Sequence, residues 1–265
     1  MKEKTSPIAK LYLFAVILIL YAPIFYLIYY SFNSGGTMSG FESFTFDYYI
    51  EVFEDVRLIT IVLNTIVIAL LSALFATIIG TLGALAIHLM KKRQNTILGL
   101  NNVLIVSPDV IIGASFLILF TIAGISLGFT SVLLSHIAFS IPIVVLMVLP
   151  KLAEMTPSLI DAARDLGASR FDVFTKVIIP YINPGIFAGF FMALTYSLDD
   201  FAVTFFVTGN GFSTLSVEIY SMARRGISLH INALSTLLFL VTLLLVAIYY
   251  ILSQRGALKI GGFRR

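Results

Sequence analysis

The 265-residue sequence has no cysteine, which excludes disulfides, cysteine-based metal sites and thiol nucleophiles. Charge is scarce: Asp, Glu, Lys and Arg make up 12% of residues, against 59% apolar ones. The GxxxxGK[ST] loop that cradles nucleotide phosphates is absent, so the chain cannot supply ATP chemistry itself. No His, Asp and Glu cluster has metal-ligand spacing, and no Ser-His-Asp arrangement is visible. No ten-residue stretch alternates with period two, which argues against a membrane β-barrel. There is no internal repeat and no low-complexity tract.

What is present is long apolar sequence, with a mean hydropathy of +1.01. A helix of about 20 apolar residues crosses the roughly 30 Å hydrocarbon core. Six such stretches are legible, at about 11–32, 60–88, 98–124, 129–150, 182–206 and 232–253. The expected fold is an all-α membrane protein, one transmembrane domain over 1–265 with six spanning helices. The second and third stretches are over-long and must tilt, break or extend into water. The first follows a basic stretch but is too long for a signal core and lacks a small-residue cleavage pattern, so it reads as a retained span.

Basic residues orient the chain. With a cytoplasmic N-terminus, fourteen Lys and Arg fall inside: Lys2, Lys4, Lys10, Lys91, Lys92, Arg93, Lys151, Arg164, Arg170, Lys176, Arg255, Lys259, Arg264 and Arg265. Only Arg57, Arg224 and Arg225 fall outside. This bias places both termini in the cytoplasm, and the basic pI then reflects topology and not nucleic-acid binding. In the outer segment 33–58, Phe46, Ile50, Phe53 and Arg57 have helical spacing, so a short surface helix is expected. Its acids either face a soluble partner or a cation, or form a solvated face. The outer segment 207–231 reads as a loop, then a short helix ended by Gly226.

Between the fourth and fifth stretches lies a polar island within 151–181. Thr156-Pro157 reads as an N-cap with proline at the first helical position. Leu159, Ile160, Ala163 and Leu166 form an apolar stripe, and Gly167 suits the left-handed position that closes a helix. Ser169 and Asp172 fit a capping box for a second helix, and Pro180 and Pro184 bracket re-entry into the membrane. Such an island, with exposed apolar and charged faces, calls for something outside the bilayer to hold it.

This island resembles the loop that marks the permeases of bacterial ABC importers: Glu-Ala-Ala, three residues, Gly, nine residues, Ile-x-Leu-Pro. Here Asp161-Ala162-Ala163, Gly167 and Val177-Ile178-Ile179-Pro180 stand at the same spacing. Asp replaces Glu, and Val and Ile replace Ile and Leu, which keeps charge and apolar character. The resemblance implies a fold like the type I ABC importer permeases, with a cytoplasmic coupling helix between the fourth and fifth spans. Asp161, Ala162, Ala163, Arg164, Asp165, Leu166 and Gly167 would then dock in a groove of an ATPase subunit. It also implies that ATP and Mg belong to that partner, and that this chain binds no cofactor.

Three carboxylates lie within the apolar stretches. An Asp at mid-bilayer costs about 2.5–3.5 kcal/mol on insertion scales, so each needs a reason. Ser107-Pro108-Asp109 predicts a kink or break in the third span, and such backbone must be buried or line a wet cavity. At about 1.5 Å per residue, Asp109 lies roughly 16–18 Å along its span and Asp199 about 25 Å along the fifth. Asp199 and Asp200 differ by about 100° around a helix, so they point apart. One would face a pathway; the other would face a helix interface or cap a break, with Ser197 three residues before it. Tyr196, Phe201, Phe205 and Phe206 surround the pair, a setting for an organic cation through ion pairing and cation–π contact. A buried structural hydrogen-bond network is the other reading of each acid.

LIVSPDVIIGASFLILF, SHIAFSIPIVV, DLGASRF, SLDDFAVTFFVTG and INALSTLL resemble the spermidine/putrescine importer permeases, specifically the second (PotC-type) of the paired permeases. The likeness runs from about residue 60 to 253. It implies inward polyamine transport with a second permease, two ATP-binding subunits and an extracytoplasmic polyamine-binding protein. By position, Asp109 and Asp199 would lie on the polyamine route, with Asp200, Tyr196 and Phe201 beside them. Permeases for iron, sulfate, thiamine or opines share the loop, but oxyanion carriers would show basic or amide-rich pathway residues. A self-sufficient cation channel or secondary transporter, and a membrane scaffold that recruits an ATPase, are the readings from other classes.

His88 reads as a helix C-terminal group, His136 as a packing or hydrogen-bonding residue, and His230 is uninformative. Gly185 and Gly189, like Gly80 and Gly83, permit close helix approach, within the chain or to a paired permease.

Overall fold

The computed structural model describes residues 6–90, 92–225 and 229–254, and their β structure is limited to an isolated antiparallel bridge between Asn33 and Phe44. The helices are α1 (Pro7–Tyr30), α2 (Asp47–Glu54), α3 (Val56–Leu89), α4 (Gln94–Val106), α5 (Asp109–Ile122), α6 (Phe129–Glu154), α7 (Pro157–Asp165), α8 (Arg170–Asp172), α9 (Ile179–Asp199), α10 (Ala202–Val207), α11 (Leu215–Arg225) and α12 (Leu229–Gln254). A π-helical turn, Val173–Ile178, joins α8 to α9. Among the described residues, four helices are long and apolar enough to cross a membrane, and a fifth crossing follows if α4 and α5 count as one broken span. Gly226, Lys91 and the terminal Lys2, Lys4, Arg255, Lys259, Arg264 and Arg265, all used above, lie outside the described residues.

Two compact units emerge. The first comprises the described parts of 1–60 and 219–258. In it α1 starts at Pro7, four residues before the expected span, because Ser6 caps it by accepting from the Ala9 N–H. The loop after α1 is organised by Asn33, which donates to the carbonyls of Thr37 and Gly40 and accepts from the N–H groups of Glu42 and Gly35. Such side-chain bonds are how short polar residues hold a turn. The surface helix is shorter than expected: α2 begins after Phe46, and Arg57 already belongs to α3, because Asp55 turns extended and caps α3 through the Leu58 N–H. On α12, His230 pairs with Glu51 of α2 and meets the Tyr48 ring edge-on at 5.1 Å. One acid of α2 is therefore engaged within the chain.

The second unit comprises residues 61–218 among those described. Its centre is α6, which buries residues along most of its length. Val144 is held between two glycines: a Cβ on Gly80 of α3 would lie 2.7 Å from the Val144 Cβ, and one on Gly189 of α9 would lie 3.1 Å from its Cγ1. Both small-residue pairs thus serve packing inside the chain, with Ala73, Ala76 and Ala84 continuing the close α3 face. Small residues let helix backbones approach where lipid gives no hydrophobic drive. The 34-residue α3 runs unbroken. At about 51 Å it exceeds the hydrocarbon core, so it tilts or extends into water.

Two expectations about the fifth span change. The second hairpin helix is not separated from it: Arg170–Asp199 is continuous through the π turn. There the Ile179 N–H bonds to the Phe174 carbonyl, five residues back, just before Pro180. This wide register carries the chain past a residue with no N–H and a ring that crowds the preceding turn. And the helix is broken within the expected stretch 182–206, because α9 stops at Asp199 and α10 begins at Ala202.

Candidate functional site

Two helix breaks define the site, both in the second unit. The first is at Ser107-Pro108, where Ser107 (ψ 139°) and Pro108 (ψ 132°) are extended and α4 and α5 turn by 100°. The residue before proline avoids the helical region, and Ser107 donates its hydroxyl to the Val103 carbonyl at 2.6 Å. Asp109 then starts α5, where the helix dipole favours a negative charge. A groove of about 450 Å³ lined by residues including Asn102, Ser107 and Pro108 flanks this break.

The second break is at Asp200-Phe201. Asp200 is extended (ψ 121°) and caps α10: it accepts from the Val203 N–H at 3.2 Å, the Thr204 N–H at 2.8 Å and the Thr204 hydroxyl at 2.7 Å. Its carbonyl accepts from the Ser216 hydroxyl at 2.6 Å. The side chain is 7% exposed and lies 3.5 Å from His136 Nε2.

The breaks meet through Tyr196, whose hydroxyl donates to Asp109 Oδ1 at 3.0 Å across 87 residues of sequence. The Tyr196 ring stands edge-on to Phe139 at 5.1 Å. Asp199, the last residue of α9, is exposed and has no hydrogen-bond or ion-pair partner among the described residues. It lies three positions from Tyr196, on the same helix face. Of the five residues expected near a pathway, Asp109 and Tyr196 are in contact and Asp199 is exposed one turn on. Asp200 is turned into the protein, and Phe201 packs on Phe205 at 5.5 Å. Ser197 does not cap the break; it bonds to His136 Nδ1 at 2.6 Å.

Sequence reasoning gave His136 as a packing or hydrogen-bonding residue and named Ser197 only beside a break, but missed Ser72, Thr204 and Ser216. The only signal was a hydroxyl within an apolar run, which helices also satisfy on their own carbonyls. No group of three or more His, Asp or Glu among the described residues could hold a metal.

The polar island forms as its residues dictate. Pro157 opens α7, and Gly167 adopts φ +82°. The Gly167 N–H bonds to the Arg164 carbonyl at 2.8 Å and the Ala168 N–H to the Ala163 carbonyl at 3.1 Å, the pattern of a Schellman motif. Ser169 and Asp172 make the capping box. Lys176 and Ser169, bonded to the Asp172 carboxyl, hold it down to about 2. No residue of α7 is buried, and Leu166 and Phe171 are 89% and 74% exposed. Two large apolar side chains thus stand exposed on an otherwise polar loop.

Residues 76–256 match the family described as "Binding-protein-dependent transport system inner membrane component". The chain is similar to the spermidine/putrescine transport system permease protein PotC of Escherichia coli (strain K12), at 38% identity over 233 residues, 88% of each chain. It is 33% identical over 227 residues to the putrescine transport system permease protein PotI of the same strain, covering 83% of this chain and 81% of that one. Its fold is similar to a chain of a bacterial ABC transporter involved in the import of the acidic polysaccharide alginate, with a TM-score of 0.69, 18% identity and 95% of each chain covered.

Proposed function

This chain belongs to the inner membrane components of binding-protein-dependent transport systems, and on that premise we propose that it is a permease subunit of an ATP-driven polyamine importer. It forms half of the translocation pathway beside a second, homologous permease. Two ATP-binding subunits carry ATP and Mg and hydrolyse ATP; an extracytoplasmic binding protein delivers spermidine or putrescine. The chain crosses the membrane six times, α4 with α5 and α9 with α10 each as one broken span, with both termini in the cytoplasm. The loop 151–181 is the coupling loop, and Asp161, Ala162, Ala163, Arg164, Asp165, Leu166 and Gly167 dock on the ATPase.

The observation that carries the cargo reading is the pair of helix breaks joined by the 3.0 Å Tyr196–Asp109 bond, with Asp199 exposed one turn further. Irregular backbone at membrane depth belongs where a cavity is wet. Carboxylates beside aromatic rings attract a linear organic cation, and the names of the similar PotC and PotI proteins support the same cargo. The exposed, doubly capped loop supports the coupling role, because rigid-body motion of a partner passes through a stiff hairpin into α6 and α9. The test is ATP hydrolysis by the reconstituted complex with the binding protein loaded with spermidine, putrescine, another cationic solute or nothing. Stimulation by the polyamine-loaded forms above the empty form is expected; stimulation only by another solute refutes the cargo.

Broken helices around acids also favour a second reading, a self-sufficient cation channel or secondary transporter. Transport that survives removal of the ATP-binding subunits would favour it.

A further inference from the structure

We infer that His136 is a positioning residue for the cation route, holding the Asp200-Phe201 break so that Tyr196 and Asp199 keep their direction; this rests on the proposed reading of Asp109, Tyr196 and Asp199.

His136 on α6 has no exposed surface. Its ring bridges the break: Nδ1 lies 2.6 Å from Ser197 Oγ on α9, and Nε2 lies 2.8 Å from Thr204 Oγ1 on α10. Counting hydrogens assigns the tautomer. Thr204 has one hydroxyl hydrogen and donates it to Asp200 Oδ2. It can therefore only accept from His136, and Nε2 carries the proton. In the neutral ring Nδ1 accepts from Ser197, which in turn accepts from the Ser72 hydroxyl of α3 at 3.0 Å. Hydrogen bonds run one way, from Ser72 through Ser197, His136 and Thr204 to Asp200. Four helices and the break share this chain of donors, and the Ser72 hydroxyl also lies 3.2 Å from the Ala69 carbonyl of its own helix.

Ser197 is flanked in α9 by Tyr196, which touches Asp109, and by Asp199 two residues on. Fixing Ser197 from one side and Thr204 from the other sets the angle at which the last turn of α9 leaves the break. His136 touches no part of the route itself. It acts through the two residues it holds, as an outer hydrogen-bond partner orients a metal ligand.

The native chain has no cysteine, so Asp199→Cys places its one thiol at the break. In the assembled complex, the labelling rate of that thiol by a water-soluble methanethiosulfonate is expected to change several-fold with His136→Leu. It is expected to stay at the background rate with His136→Gln, whose amide N–H replaces Nε2–H. With Asp199 intact, spermidine moved per ATP hydrolysed falls on the order of tenfold in His136→Leu, as for other misplaced positioning groups, while stimulated ATP hydrolysis persists. Unchanged labelling in His136→Leu overturns the inference, and so does an equal change in both variants. If His136→Leu does not assemble, Thr204→Val and Ser197→Ala each remove one end of the bridge: altered labelling supports the role, and none overturns it. Altered labelling in a complex whose parent form moves no spermidine leaves the role of His136 standing and refutes the cargo reading.

Discussion

Asp200 accepts three hydrogen bonds from α10, whereas Asp199 beside it is exposed with no partner among the described residues. Their variants should diverge. In Asp200→Asn one side-chain position becomes an N–H facing other donors. A buried bond to a charged acceptor contributes about 1.5–3 kcal/mol, so the complex should melt at a lower temperature. Asp199→Asn should leave melting within the roughly 0.5 kcal/mol of an exposed site, yet reduce uptake. Thermal unfolding and uptake on both variants check this contrast. The difference between the two acids was only half legible. Helical geometry required them to point apart, but which one turned inward depended on Thr204 and His136. A contact such as Tyr196 to Asp109, 87 residues apart, leaves no local trace.

Among the elements, the hairpin was readable because its signals are local: Pro157, Gly167, Ser169 and Asp172 each act within four residues. The break in the third span was readable for the same reason, through Pro108. The break at Asp200 stood only as one of two readings, since no proline or glycine marks it; Asp200 caps α10 locally, but its other partners come from α6 and α11. Gly167 offers a clean test of the hairpin. A Cβ there meets nothing within 4 Å, so Gly167→Ala is burdened only by its φ of +82°. That conformation costs an L-residue about 1–2 kcal/mol. Faster hydrogen exchange over 157–172 and weaker stimulation of ATP hydrolysis are expected, with the membrane helices unchanged. On α3, Gly80 and Gly83 should separate in the same way. Gly80→Ala places a Cβ 2.7 Å from Val144, against 3.8 Å to Val145 for Gly83→Ala. The first should destabilise by about 1–3 kcal/mol as overpacking does, and the second should be near neutral, as melting temperatures would show.

At the scale of the molecule, the long helices among the described residues overlap the long apolar stretches, while polar residues supply caps and breaks at their ends. The first unit holds an aromatic cluster, in which the Tyr26 ring is tilted against Tyr30 at 4.7 Å and Tyr29 against Phe41 at 4.8 Å. Amphipathic rings of this kind favour the membrane–water boundary. The second unit holds both breaks, the buried relay and the exposed loop, and so contains every residue assigned to coupling or to the cation. On this account the chain turns a push on loop 151–181 into movement of α6 and α9 around two acids. Spermidine uptake into proteoliposomes, with the complete complex, its binding protein and ATP, tests that most directly when the parent form is compared with Asp109→Asn and Asp199→Asn. The account predicts ATP-dependent uptake that falls on the order of tenfold in each variant, the weight of one lost charged contact, with assembly intact. Uptake in both variants equal to the parent, or uptake without the ATP-binding subunits, would contradict it.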